Sequence, residues 1–272
     1  MEISSIAKIL NDIFFVYFII FCACYLLERH INIMEHKLST EIVKGIGYKK
    51  CRGDKIVKLE ILGKHNEMRP NVADNKYAKF RCEKAKVLQI YDMHDVHNPV
   101  ITYRWAQSIE KKNFYYIADE IMETKFNEDI TKVCSKGIHY FLTEEAAFYY
   151  DYEPHNGMSK SYYDNGQLHA KVYYKNGELH GLQEYFHENG NLVGRYKTEN
   201  GLRQGKYEIY YDNGKLYRKT FLRNGVPVGE DIFYFENGDI MERSTYANDR
   251  RVGVWEIYNS DGSIKFSQVF NE

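Results

Sequence analysis

The ten-residue phrase GMSKSYYDNG at 157–166 returns as GLQEYFHENG at 181–190, GKYEIYYDNG at 205–214, GEDIFYFENG at 229–238 and GVWEIYNSDG at 253–262, always 24 residues on. A fixed period of this length means that one small structural unit is stacked on copies of itself. Each copy carries an aromatic column (Tyr162, Phe186, Tyr210, Tyr234, Tyr258) and a glycine column (Gly166, Gly190, Gly214, Gly238, Gly262). An aliphatic column follows at Leu168, Leu192, Leu216, Ile240 and Ile264. A second turn signal stands at Asn176-Gly177, Asn200-Gly201 and Asn224-Gly225, with Asn248-Asp249 in the fourth copy.

Asn-Gly between aromatic-rich runs marks a hairpin, because both residues tolerate positive φ. A two-residue turn at Asn213-Gly214 would pair Tyr211 with Leu216. A three-residue loop with Gly214 in a left-handed bulge pairs Tyr210 with Leu216 instead. Only the second pairing joins the two columns that recur in every copy, so the three-residue loop is expected. Gly181, Gly205, Gly229 and Gly253 are expected where each new copy begins and the chain turns closely. A lone hairpin is marginal in water, so the copies should form an elongated antiparallel sheet. One residue before the aromatic column stands a further one: Tyr185, Ile209, Phe233 and Ile257. It falls on the opposite sheet face, and aromatics on both faces imply either a cover or a partner. This column is the candidate binding surface.

The phrase G-x-x-x-x-Y-x-x-N-G-x-L, spaced by a second N-G, resembles the MORN-type repeat (membrane occupation and recognition nexus), in its bacterial and large-DNA-virus variant. The resemblance covers 156–272 and implies membrane attachment or protein scaffolding. The departures are Asn248-Asp249 and Asn259-Ser260-Asp261, the latter expected to weaken only the terminal hairpin.

The fold is expected to be mainly β, with residues 45–154 read as a small α+β domain before the repeats. KIVKLEIL at 55–62 alternates Val57, Leu59 and Ile61 against Ile56, Lys58, Glu60 and Leu62, a period-two strand. KAKVLQIYD at 84–92 sets Ala85 and Val87 against Leu88 and Ile90, and a short strand is expected at His139–Leu142. Thr143 can cap a helix whose first turn holds Glu144 and Glu145, with Ala146, Ala147 and Tyr150 inward. Lys50-Cys51 leading into KIVKLEIL, then FRCEKAKVLQIYD and CSKGIHYFLTEEAAFYY, are similar to the domain that precedes such repeats in proteins of giant amoebal (mimivirus-like) viruses. That resemblance implies a viral setting and no activity.

Residues 1–33 hold IFFVYFIIFCACYLL at 13–27, fifteen residues without charge, Gly or Pro. As a helix it would span roughly 22 Å, against roughly 30 Å of bilayer hydrocarbon, and Ile6–Leu10 can extend it. It is read as a hydrophobic N-terminal helix and membrane anchor, with a cleaved leader or a packed helix as the alternatives. Arg29, Lys37, Lys44, Lys49 and Lys50 follow it and only Lys8 precedes it, which puts the rest of the chain in the cytosol. The odd count of five cysteines argues against a disulfide framework.

With 37 Lys and Arg against 38 Asp and Glu, no global field draws nucleic acid. Arg218, Lys219, Arg223 and Arg243 would make an anionic-lipid patch only if they share one edge. Cys134 and His139 are the best local candidate for nucleophile and base or for metal ligands, but no further ligand stands at a fixed spacing. His94, Asp95 and His97 precede Asn98-Pro99, which reads as a solvated loop. The expectation is a non-enzymatic repeat protein without cofactor or metal that binds an unknown protein partner at a membrane. The alternatives are a soluble scaffold and a small enzyme domain around Cys134 and His139.

Overall fold

In a computed structural model, residues 38–94 and 102–271 are described. The expected N-terminal helix at 1–33 lies outside them, as do Asp95 and His97. No helix among the described residues is long and apolar enough to cross a membrane.

The first part is built from β1 (Ile46–Cys51), β2 (Lys55–His65), β3 (Lys79–Asp92), β4 (Trp105–Gln107), β5 (Tyr115–Ile117), β6 (Ile121–Glu123) and β7 (Ile138–Phe141). β1 pairs with β2 and β7, and β3 pairs with β2 and β7, all antiparallel, so four strands close into a ring. Val57, Leu59, Phe80, Val87 and Tyr140 fill its interior. The helix expected after Thr143 forms as the six-residue α1 (Glu144–Tyr149), the one α-helix among the described residues, so this part is mostly β. Thr143 caps it through a hydrogen bond from Ala146 N, and Ala146, Ala147 and Phe148 face inward, while Tyr150 is only half-buried. Glu144 and Glu145 are buried too, accepting from the hydroxyls of Tyr91 and Tyr77.

The alternation expected along β3 breaks at Leu88. Val57 pairs with Ile90 and Lys58 with Gln89, but Leu59 pairs with Val87. Leu88 is the extra residue of a bulge, so Ala85, Val87 and Ile90 all point inward although their spacing is not even.

The repeats form β8 (Gly157–Tyr162), β9 (Leu168–Lys175), β10 (Glu178–Leu179), β11 (Gly181–Phe186), β12 (Leu192–Glu199), β13 (Leu202–Tyr210), β14 (Leu216–Arg223), β15 (Val226–Tyr234), β16 (Ile240–Ala247), β17 (Arg250–Tyr258) and β18 (Ile264–Phe270). They make one antiparallel sheet, in which β9 pairs with β8, β10 and β11 and each strand from β11 on pairs with the next. In all five hairpins the aromatic column faces the aliphatic one: Tyr162–Leu168, Phe186–Leu192, Tyr210–Leu216, Tyr234–Ile240 and Tyr258–Ile264. Gly214 N donates to Tyr211 O at 3.0 Å and Tyr211 N to Lys215 O at 2.8 Å, the three-residue loop with Gly214 at φ +81°. Asn213 Oδ1 accepts from Lys215 N at 2.9 Å, and Asp261 accepts from Ser263 N at the same distance. A carboxylate therefore replaces the amide without altering the turn.

Asn200-Gly201 and Asn224-Gly225 are two-residue turns between directly paired residues, with positive φ at both positions. Asn248-Asp249 makes the same turn, with Asp249 held at φ +61°. Gly205, Gly229 and Gly253 do not begin new strands. Each lies within one at positive φ, where the register on the preceding strand jumps, for example from Arg195–Glu208 to Lys197–Gln204. They are bulge glycines, which bend a continuous strand.

The first hairpin docks on the strand ring. Tyr77 stacks on Tyr162 at 4.2 Å, Lys160 pairs with Glu145 at 2.9 Å, and Ala73 N donates to Asn165 O at 2.8 Å. Gly166 approaches so closely that an added Cβ would lie 2.0 Å from Asp74 O. Ser39–Glu272 form one compact unit in consequence.

Candidate binding faces and the buried charge cluster

Side chains alternate across a strand and directly opposed residues share a face, so the pairings define rows. On the first face Tyr185, Gly194, Ile209, Arg218, Phe233, Glu242, Ile257 and Phe266 follow one another strand by strand. The column Tyr185, Ile209, Phe233, Ile257 is thus one row, half-buried throughout. The residues between its members differ from copy to copy: Ala170, Gly194, Arg218, Glu242, Phe266. Gly194 is small for a reason, since a Cβ there would meet Ile209 Cδ1 at 2.6 Å.

The neighbouring row mixes buried polar residues (Ser159, Gln183, Thr220, Asp231 and Ser244) with Val172, Tyr196 and Tyr207. Gln183 donates to Thr198 Oγ1 at 2.9 Å, and Asp231 receives both Nε and Nη2 of Arg218, at 2.8 and 2.7 Å. These hydrogen bonds to Asp231 raise the Arg218 pKa further. Arginine guanidinium groups sit over rings along the same face. Arg203 covers Tyr196 and Tyr207, Arg218 covers Tyr207 and Phe233, and Arg251 covers Tyr246 and Trp255. Glu242 accepts from Trp255 Nε1 at 2.8 Å and from Arg251 at 3.1 Å.

The second face carries the aromatic–aliphatic pairs and, next to them, Lys171, Glu184, Arg195, Glu208, Lys219, Ile232, Arg243 and Glu256 in strand order. Signs alternate there except at Ile232. Arg218 and Lys219 therefore point to opposite faces, Arg218 is neutralised by Asp231, and Arg243 lies 3.3 Å from Glu230. The condition for a shared cationic edge is not met.

Cys134 and His139 do not form a nucleophile–base pair. The Cys134 thiol is exposed and donates to Asp164 Oδ2 at 3.4 Å; partial burial and then the Asp164 charge push its pKa up. His139 Nε2 lies 3.1 Å from Val133 O, and burial, then the Lys79 ammonium, hold its pKa down to about 4. A thiol held protonated beside a carboxylate, with no imidazole partner, is a poor nucleophile. His94 packs edge-on against Phe148, and no group of three possible metal ligands occurs among the described residues.

Two constellations had no signature in the sequence. Arg81 is fully buried, with its guanidinium donating to the backbone carbonyls of Asn127, Asp129, Lys132 and Lys136. Lys49 and Lys79, both more than nine-tenths buried, converge on Glu110 at 2.9 and 3.6 Å. Their partners lie 61 and 31 positions away in sequence, beyond any local pattern.

Residues 156–176, 179–200, 203–224 and 227–248 match the MORN repeat variant. Residues 34–147 match a family of unknown function (DUF5758), a description that lends no support to a viral origin. No curated protein matches the chain. The fifth copy, from Gly253, lies outside the matched repeats, yet its hairpin has the same register as the other four.

Proposed function

We propose that this chain is a non-enzymatic scaffold whose repeat sheet binds a protein partner through its first face, and that the apolar run at 13–27 tethers it to a membrane. One observation carries the binding half. The turn residues and the aromatic–aliphatic pairs stay nearly constant across the copies, while the row between Tyr185 and Ile257 changes from Gly194 to Arg218 to Glu242. A constant frame that presents a varied row suits recognition of one extended partner. A viral setting belongs to this proposal as well and rests on the sequence resemblance alone.

Arg251→Ala with Trp255→Ala removes half-buried bulk from the first face, and Phe221→Ala removes an exposed ring from the second. In proximity labelling from the full chain, the double variant should lose the enriched neighbours of the wild type, and Phe221→Ala should keep them. Unchanged neighbours in the double variant would reject the face. The tether is tested by carbonate extraction of membranes holding the full chain or one that starts at Met34. Only the full chain should resist; release of both would reject the tether and leave the soluble scaffold with its cytoplasmic location.

A further inference from the structure

The Lys49–Lys79 cluster goes beyond the repeat sheet and lies in the strand ring. Side-chain exposure is 5% for Lys49 and 10% for Lys79, yet Glu110 is the one carboxylate within ion-pair distance of either among the described residues. His139 Nδ1 stands 4.0 Å from the same carboxylate, and Tyr150 Oη is 3.4 Å from Lys79 Nζ. Two ammonium groups facing one carboxylate leave an excess positive charge where water has little access. Such a charge is costly unless an anion answers it.

Glu110 reaches the cluster from outside. It belongs to the loop between β4 and β5, which Ser108 N closes on Phe114 O, and its side chain is 31% exposed. The carboxylate thus enters from the solvent side, as a free anion would. We infer that Lys49 and Lys79 form a binding site for a small oxyanion of the carboxylate or phosphate kind, in which the Glu110 carboxylate occupies the ligand's seat. Lys49 and Lys79 donate to the anion, Tyr150 Oη accepts from Lys79, and the anion competes with the Glu110 side chain for the two ammonium groups. Glu110 makes the site self-filled and tunes it toward weak, competitive binding.

The test is thermal unfolding of the full chain in non-ionic detergent, comparing inorganic phosphate with chloride at equal ionic strength. Glu110→Gln empties the seat but keeps the loop's volume. Its Tm should fall below wild type in chloride and rise by about 5 °C in phosphate, more than wild type does. Adding Lys79→Met to Glu110→Gln should abolish that rise. An equal response in the single and double variants overturns the site, because the effect is then a general salt effect. Should Glu110→Gln fail to fold, the phosphorus-31 line width of phosphate decides. Broadening by wild type that Lys79→Met removes supports the site, and equal widths overturn it.

Discussion

Arg218 grips Asp231 with two parallel hydrogen bonds across β14 and β15, and the Asp231 side chain is only 3% exposed. The pair joins the third repeat to the fourth beneath Phe233. Removing one partner strands the other, whereas removing both removes the problem. Arg218→Met should therefore cost about 3 kcal/mol, the low end for a buried pair because the arginine is one-quarter exposed. Arg218→Met with Asp231→Leu should cost less than the sum of the single changes. Urea unfolding of all four chains measures the coupling, and strict additivity would contradict it.

Two glycines of positive φ should respond differently to alanine. At Gly205 (φ +75°) nothing lies within 4 Å of an added Cβ, so only backbone strain is introduced, about 1–2 kcal/mol. At Gly166 (φ +90°) the Cβ also meets Asp74 O, so the first hairpin must leave the strand ring. Hydrogen exchange should show faster opening of β8 in Gly166→Ala only. Equal protection of β8 in both variants would contradict the docking.

Asp249 occupies a position that the other copies give to glycine. Asp249→Gly relieves a left-handed aspartate and should raise stability by about 0.5–1 kcal/mol, net of the unfolded-chain entropy that glycine adds. A lower Tm would show that the aspartate is locally stabilised.

His139 is held neutral down to about pH 4, against 6.5 in an unfolded chain. Between these values the unfolded state binds a proton that the folded state does not, so its contribution to stability is present above pH 6.5 and lost as pH falls toward 4. Burial alone would raise the Glu110 pKa, but Lys49, Lys79 and His139 bring it below the ordinary value, so its contribution is lost at still lower pH. Urea midpoints of wild type and His139→Gln should converge as pH falls from 6.5 to 4.5. Parallel curves would contradict the assignment.

Alkylation tests the thiols. The pKa values of Cys51 and Cys82 are pushed up to about 12, chiefly by burial, and the exposed Cys134 is raised as well. Of these three, only Cys134 should label in the folded chain, and more slowly than a free cysteine at pH 7.5. Faster labelling would revive it as a nucleophile.

The repeat sheet was legible because its forces are local and recur. Five chances to compare Tyr210–Leu216 with its equivalents decided between two turn types that one copy could not separate. Bulge glycines escaped, since Gly205 marks a copy boundary and a strand bend with the same letter. The strand ring was harder. The bulge at Leu88 breaks the two-residue period, and the closing pair Tyr48–Phe141 joins residues 93 positions apart. Arg81, Lys49 and Glu110 carry no local signature, because nothing nearby in sequence reveals the carbonyls or ions that meet them. The first-face column was visible as a period, but its alternation with Arg218 and Glu242 needed the register.

The two faces can be compared directly with a photoreactive phenylalanine analogue at Phe233 on the first and at Phe221 on the second, in cells expressing the full chain. A discrete crosslinked species from position 233 and none from 221 is the predicted result. Crosslinking from 221 alone, or from neither position, would contradict a partner-binding first face.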